Sequence, residues 1–234
     1  MIPFNVIYAT LKGQATEHLY QDFVKVVDAD ECLIAIVADG LGSAKSSARG
    51  SQLICDIISE WANDIDWEIH DFSELLNTSV LEWYRRLELK EIDTRQCSTT
   101  CSLVAINQNN NHIYLCNIGD SPIFYRIDNE KACAICSEKE FLNETNCIGP
   151  IAKPKFNIVE LSFKKTLAFI VATDGVGDEL VLETIDSLFD YFIHKYSMIK
   201  KKKRNRVLKD ELKDAMGDKN GDDKSLIFGW TCQM

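Results

Sequence analysis

Cys32-Leu33-Ile34-Ala35-Ile36-Val37-Ala38-Asp39-Gly40 is an unbroken apolar run, rich in β-branched side chains, that stops on an acid and a glycine. It reads as a strand that has to be buried, with Asp39 delivered at its end. Phe23 to Val27, ahead of the turn Asp28-Ala29-Asp30-Glu31, supplies a hairpin partner. On the other side, Ser43 is placed to cap a helix whose apolar stripe is Ala44, Ala48, Leu53, Ile54, Ile57, Ile58 and Trp61. A second helix is expected from roughly Phe72 to Leu89. Then the period changes. Thr99 to Asn107, His112 to Ile118, Ile123 to Ile127 and Ala132 to Ile135 are short strand-like runs divided by polar turns, the pattern of an antiparallel meander. Phe156 to Phe163, Leu167 to Thr173 and Ser225 to Cys232 read as further strands, and Leu182 to Tyr196 as a helix. Helices in two groups around one block of strands, without regular strand-helix alternation, predict an α+β fold in which two antiparallel sheets pack together under helices. Residues 1–234 are read as a single domain.

The formal net charge of −10 argues against nucleic acid as a partner, since phosphate-backbone affinity comes from clustered Lys and Arg. The one basic run, Lys200 to Arg206, is read as a solvated loop. The nine cysteines are odd in number and irregular in spacing. Cys32, Cys97, Cys101 and Cys116 sit inside apolar runs, as reduced thiols of a cytoplasmic protein would. Cys133 and Cys136 form a CxxC with no second pair at zinc-ribbon spacing and are read as strand residues. No apolar run approaches the ~20 residues that span a bilayer, and the start lacks a basic leader, so neither membrane insertion nor secretion is expected.

Three other segments share the feature of the opening one: Asn117-Ile118-Gly119-Asp120-Ser121, Ala172-Thr173-Asp174-Gly175-Val176 and Gly221-Asp222-Asp223-Lys224-Ser225. Any one of them could be a simple turn, because Asp-Gly is a favoured turn pair. As a set, they set carboxylates at the ends of strands that must be buried, where acids without Lys or Arg nearby repel one another unless cations neutralise them. Oxygen-only donors favour Mg²⁺ or Mn²⁺ over zinc.

The order Asp39-Gly40, Ser98-Thr99-Thr100, Gly119-Asp120-Ser121, Thr173-Asp174-Gly175 and Asp222-Asp223 resembles the type 2C metal-dependent serine/threonine protein phosphatases, especially their compact bacterial members. The resemblance spans nearly the whole chain. It implies a four-layer α/β/β/α sandwich and hydrolysis of phosphoserine and phosphothreonine in proteins, by water activated between two divalent cations about 4 Å apart. Position by position, it makes Asp39 a bridge between two Mg or Mn ions, with the Gly40 carbonyl on one of them. Asp174 and Asp222 would hold the first ion, and Asp120 with Asp174 a weaker third one. Asp22, in a Gln21-Asp22 pair where many relatives have Glu-Asp, would orient the attacking water. Asp223 stands where many relatives have Asn and is assigned a supporting role; Thr99 and Thr100 are read as structural.

Two positions depart from the family pattern. Relatives often carry a phosphate-gripping Arg shortly before the acidic pair, whereas the first Arg here is Arg49; Lys12 and His18 are the candidates to contact substrate phosphate in its place. Many eukaryotic members have His after the first Asp-Gly, where this chain has Leu41. The expected partner is a phosphorylated protein, and the expected state is a monomer. Two other readings stay open on the residues alone: a non-catalytic phosphoprotein-binding module of the same fold, and a Mg-dependent hydrolase of a small phosphorylated metabolite.

Overall fold

The computed structural model describes residues 2–14, 20–29, 31–62, 65, 67, 71–128, 130–136, 146–149, 154–217 and 219–232. In chain order the strands are β1 (Phe4–Leu11), β2 (Phe23–Asp28), β3 (Cys32–Ala38), β4 (Cys101–Asn107), β5 (His112–Ile118), β6 (Ile123–Ile127), β7 (Cys133–Ile135), β8 (Asn157–Ser162), β9 (Leu167–Ala172) and β10 (Lys224–Thr231). The helices are α1 (Ser47–Trp61), α2 (Phe72–Glu88), the single turn α3 (Asp174–Gly177), α4 (Leu182–Met198) and α5 (Lys201–Met216). Two five-stranded sheets form, in the orders β1-β10-β9-β6-β7 and β2-β3-β4-β5-β8. Every pairing is antiparallel.

β3 is buried at all seven positions because its two faces serve two cores. Leu33, Ala35 and Val37 point into the seam between the sheets, with Val104, Ile106, Leu115, Phe169, Val171 and Ile227. Cys32, Ile34, Ile36 and Ala38 face the other way, against Ile54, Ile58, Leu76, Val80 and Trp83 of α1 and α2. The first sheet repeats the arrangement, with Ile170, Ala172, Leu226 and Phe228 packed on Ile185, Phe189, Leu208 and Leu212 of α4 and α5. A strand covered on both sides has no polar face, which is why β3 and β9 read as continuous apolar runs.

Three expectations are corrected, and one strand is added. The middle strands are not one meander: β4 and β5 pair, but β6 crosses to the other sheet and pairs with β9. A period-2 pattern marks a strand without saying which sheet it joins. Ser43 does not cap α1; the N-cap is Ser46, without a side-chain bond. Residues 41–46 are spent on a turn, closed by Ala44 N–H to the Leu41 carbonyl at 2.8 Å and by Ser46 N–H to the Gln96 carbonyl at 2.8 Å. The basic run Lys200–Arg206 begins α5 instead of forming a loop, since Leu208 and Leu212, four apart, anchor that helix on the sheet. Finally, β1 carries no strand expectation, yet it pairs with β10 from Phe4 to Leu11. It is an edge strand in which only Ile7 and Ala9 are buried, too weak a pattern to announce itself.

Candidate metal centre

Antiparallel pairing decides where the acids meet. Phe23 at the start of β2 lies opposite Ala38 at the end of β3, which brings Asp22 beside Asp39. Leu226 near the start of β10 lies opposite Ala172 at the end of β9, which brings the loop of Asp222 beside Asp174. Asp120 follows β5 through Gly119, whose φ of +103° is open to glycine and strained for other residues. All these strand ends lie at one end of the sandwich.

Asp39, Asp120 and Asp174 each offer a carboxylate oxygen, and the three oxygens lie within 4.8 Å of one another. All three residues are half-buried. Asp222 stands outside that trio and is exposed. It remains close, since a Cβ on Gly175 would lie 3.4 Å from Asp222 Cβ. Asp22 is 2% exposed. Its Oδ2 accepts the Thr173 hydroxyl at 2.8 Å, while Oδ1 is buried with no hydrogen-bond partner among the described residues. Lys12 is exposed just beyond β1, with no described contact to the acids. His18 lies outside the described residues.

Burial, then the charges of Asp22, Asp174 and Asp120, push the Asp39 carboxyl well above the usual range. Burial, then Asp120 and Asp222, raise Asp174 to about 6. Burial raises Asp22 to about 7. Among the described residues no Lys or Arg forms an ion pair with Asp22, Asp39, Asp174 or Asp222. Mutually repelling oxygen donors, a buried carboxylate oxygen without a partner and, among the described residues, the lack of a Lys or Arg ion pair to Asp22, Asp39, Asp174 or Asp222 fit hard divalent cations.

The backbone around the acids is held by hydroxyls. Asp39 N–H donates to Thr100 Oγ1 at 3.0 Å, and Thr99 Oγ1 donates to the Asp39 carbonyl at 2.9 Å. Gly40 is buried, bridges to Thr99, and donates its N–H to the Gln21 carbonyl at 3.2 Å. Behind Asp22, Thr173 Oγ1 also accepts Ser225 N–H at 3.0 Å, and Ser225 Oγ meets the Tyr20 hydroxyl at 2.5 Å. Tyr20 was not named from the sequence, and Thr173 and Ser225 appeared there only within the Asp-bearing segments or as strand ends, without a role. The signal that could have found Thr173 is its place directly before Asp174 at the end of a buried strand.

The family pattern of protein phosphatase 2C matches residues 14–215. The chain belongs to that family. Membership brings metal-dependent dephosphorylation of phosphoserine and phosphothreonine in proteins with it. Solved structures agree in fold. The S. agalactiae serine/threonine phosphatase superposes with a TM-score of 0.71 at 18% identity, over 97% of this chain and 99% of that one. RsbX in complex with magnesium gives 0.66 at 18%, over 99% and 100%. The catalytic domain of the phosphatase PstP with two manganese ions gives 0.66 at 15%, over 98% and 99%. No curated protein sequence matches the chain. Among the described residues no helix is long and apolar enough to cross a membrane.

Proposed function

We propose that this phosphatase 2C family member is a single-domain, monomeric, cytoplasmic enzyme, with Asp39, Asp174, Asp222, Asp120 and the Gly40 carbonyl as its metal donors. The observation that carries the reading is the convergence of Asp39, Asp120 and Asp174 beside the unpartnered Asp22 Oδ1, with no Lys or Arg ion-paired to Asp22, Asp39 or Asp174 among the described residues. The magnesium in RsbX and the two manganese ions in PstP support a pair of Mg²⁺ or Mn²⁺ here; the proposal adds a third, weaker ion at Asp120 and Asp174. When bound, the cations held by these residues would neutralise the carboxylates and supply the positive charge that lowers the pKa of water and stabilises phosphoryl oxygens.

The chain's own residues then position the reactants. Asp39 is fixed through its backbone by Thr99 and Thr100, so its carboxylate does not swing with the loop. Asp22, oriented through Oδ2 by Thr173, presents Oδ1 to accept a hydrogen bond from the attacking water. Burial pushes the Cys101 thiol to about 12 and the Cys147 thiol to about 11, far from the thiolate a nucleophile needs. Lys12, and His18 beyond the described residues, are the candidates to meet the substrate phosphate. The test is phosphate release from phosphothreonine peptides with Mn²⁺, Mg²⁺ or chelator. Release is expected with either cation and abolished by chelation; release unaffected by chelation would overturn the reading.

A further inference from the structure

We infer that Asp223 is a positioning residue for the reaction: its buried carboxylate clamps the backbone at Gly13 and Gln21 and thereby sets Asp22. The inference rests on the role proposed above for Asp22. Asp223 is 6% exposed, and its two oxygens are divided between two donors. Oδ1 accepts Gly13 N–H at 2.8 Å and Oδ2 accepts Gln21 N–H at 2.7 Å. A buried carboxylate is tolerated only when such bonds replace its water, and bonds to a charged acceptor are the strong ones.

What the clamp holds is the residue next to Asp22. The backbone N–H and carbonyl of Gln21 and its side-chain Nε2 are all committed. Its N–H is on Asp223, its carbonyl accepts Ser51 Oγ at 2.5 Å and Gly40 N–H at 3.2 Å, and its side-chain Nε2 donates to Ser47 Oγ at 2.7 Å. The lead-in to β10, helix α1 and the turn after Asp39 therefore converge on one residue, and Asp22 follows it directly. The second arm is just as constrained: a Cβ on Gly13 would lie 2.2 Å from the Gly221 carbonyl oxygen, so the chain after β1 runs flush against the loop that carries Asp222.

The charge matters as well as the shape. An Asn at 223 has one acceptor oxygen, and its amide nitrogen would face an N–H donor, so one of the two arms has to be released. Asp in place of the family's frequent Asn thus closes both ends of the segment between Gly13 and Gln21 on a single side chain.

The test is Asp223→Asn, with Asp223→Ala beside it, read by amide hydrogen exchange at Gly13 and Gln21 in metal-free protein and by steady-state kinetics with Mn²⁺ on a phosphothreonine peptide. In Asp223→Asn at least one of the two amides should exchange at least about 10-fold faster. The variant's kcat should fall by about 10-fold, with peptide KM and the Mn²⁺ midpoint within about twofold, because misplacing a reactive group weakens the chemical step and not the binding. Unchanged protection at both amides overturns the clamp, whatever the activity. A loss of kcat that saturating Mn²⁺ restores overturns the positioning role, because Asp223 would then act on metal affinity. If Asp223→Ala fails to fold, Asp223→Asn still decides. Wild-type protein inactive with Mn²⁺ would sink the functional reading and leave the exchange data to judge the clamp.

Discussion

Thr173 shows how one hydroxyl can govern a charged site. It donates to Asp22 Oδ2 and accepts from Ser225 N–H, so Thr173→Val, equal in shape, strands a buried acceptor and a buried donor together. The expected destabilisation is about 1–3 kcal/mol, seen as a lower midpoint in urea unfolding, with kcat reduced as Asp22 loses its orientation. A variant as stable and active as the parent would show the bond to be idle. Asp174 tests the acids themselves. Asp174→Asn removes a charge with little change in shape, and turnover with Mn²⁺ should drop on the order of 10²–10³-fold while circular dichroism is preserved. Unchanged turnover and Mn²⁺ affinity in a folded variant would remove Asp174 from the donor set.

Helix α5 is the element built against its own electrostatics. It starts on Lys200, whose side chain makes no capping bond, and its first turn contains no acid, so several lysines crowd the positive end of the helix dipole. The helix persists because Leu208 and Leu212 are buried on the first sheet and because Arg204 ties back to the Ile199 carbonyl at 2.9 Å and to Asn5 Oδ1 at 2.6 Å. Packing outweighs local preference here. Replacing Lys200 with Asp, which suits the extended conformation at that position (φ −57°, ψ 130°), adds a cap. With Lys201→Glu it should raise stability by about 1 kcal/mol, or ~2–4 °C in Tm. A Tm that stays level or falls would mean that those lysines are already compensated.

For the molecule as a whole, the acid cluster couples stability to pH and metal. In metal-free protein Asp174 and Asp22 have folded pKa values of about 6 and about 7, above the unfolded value near ~4. The folded state therefore binds more protons than the unfolded chain. That contribution is complete below the unfolded pKa and disappears as pH rises through the folded values. Divalent cations bind the deprotonated cluster, so the Tm gain from Mn²⁺ over chelator should be larger at pH 8 than at pH 5; at 100 times Kd the stabilisation is about 2.7 kcal/mol. Scanning calorimetry at the two pH values checks it. An equal gain at both would mean that the ion does not displace protons from these carboxylates.

The strands other than β1, helices α1, α2 and α4, and the acids at strand ends were legible in the residues because each is a local property. Seven apolar side chains in a row, as in Cys32–Ala38, leave burial as the only option, and four Asp-bearing strand ends in family order announce a cation site. What local pattern cannot encode is partnership. That β6 leaves β5 for β9, and that β1 covers the edge of β10, depend on which faces remain open after the sheets stack. The same holds at the site. Asp39, Asp120 and Asp174 were all named from the sequence, but their meeting within 4.8 Å follows from the register of separate strand pairs. Gly13 and Gln21 meet Asp223 only in the folded chain, across separations of 210 and 202 residues, because a hydrogen bond between distant segments leaves no trace in the periodicity of either.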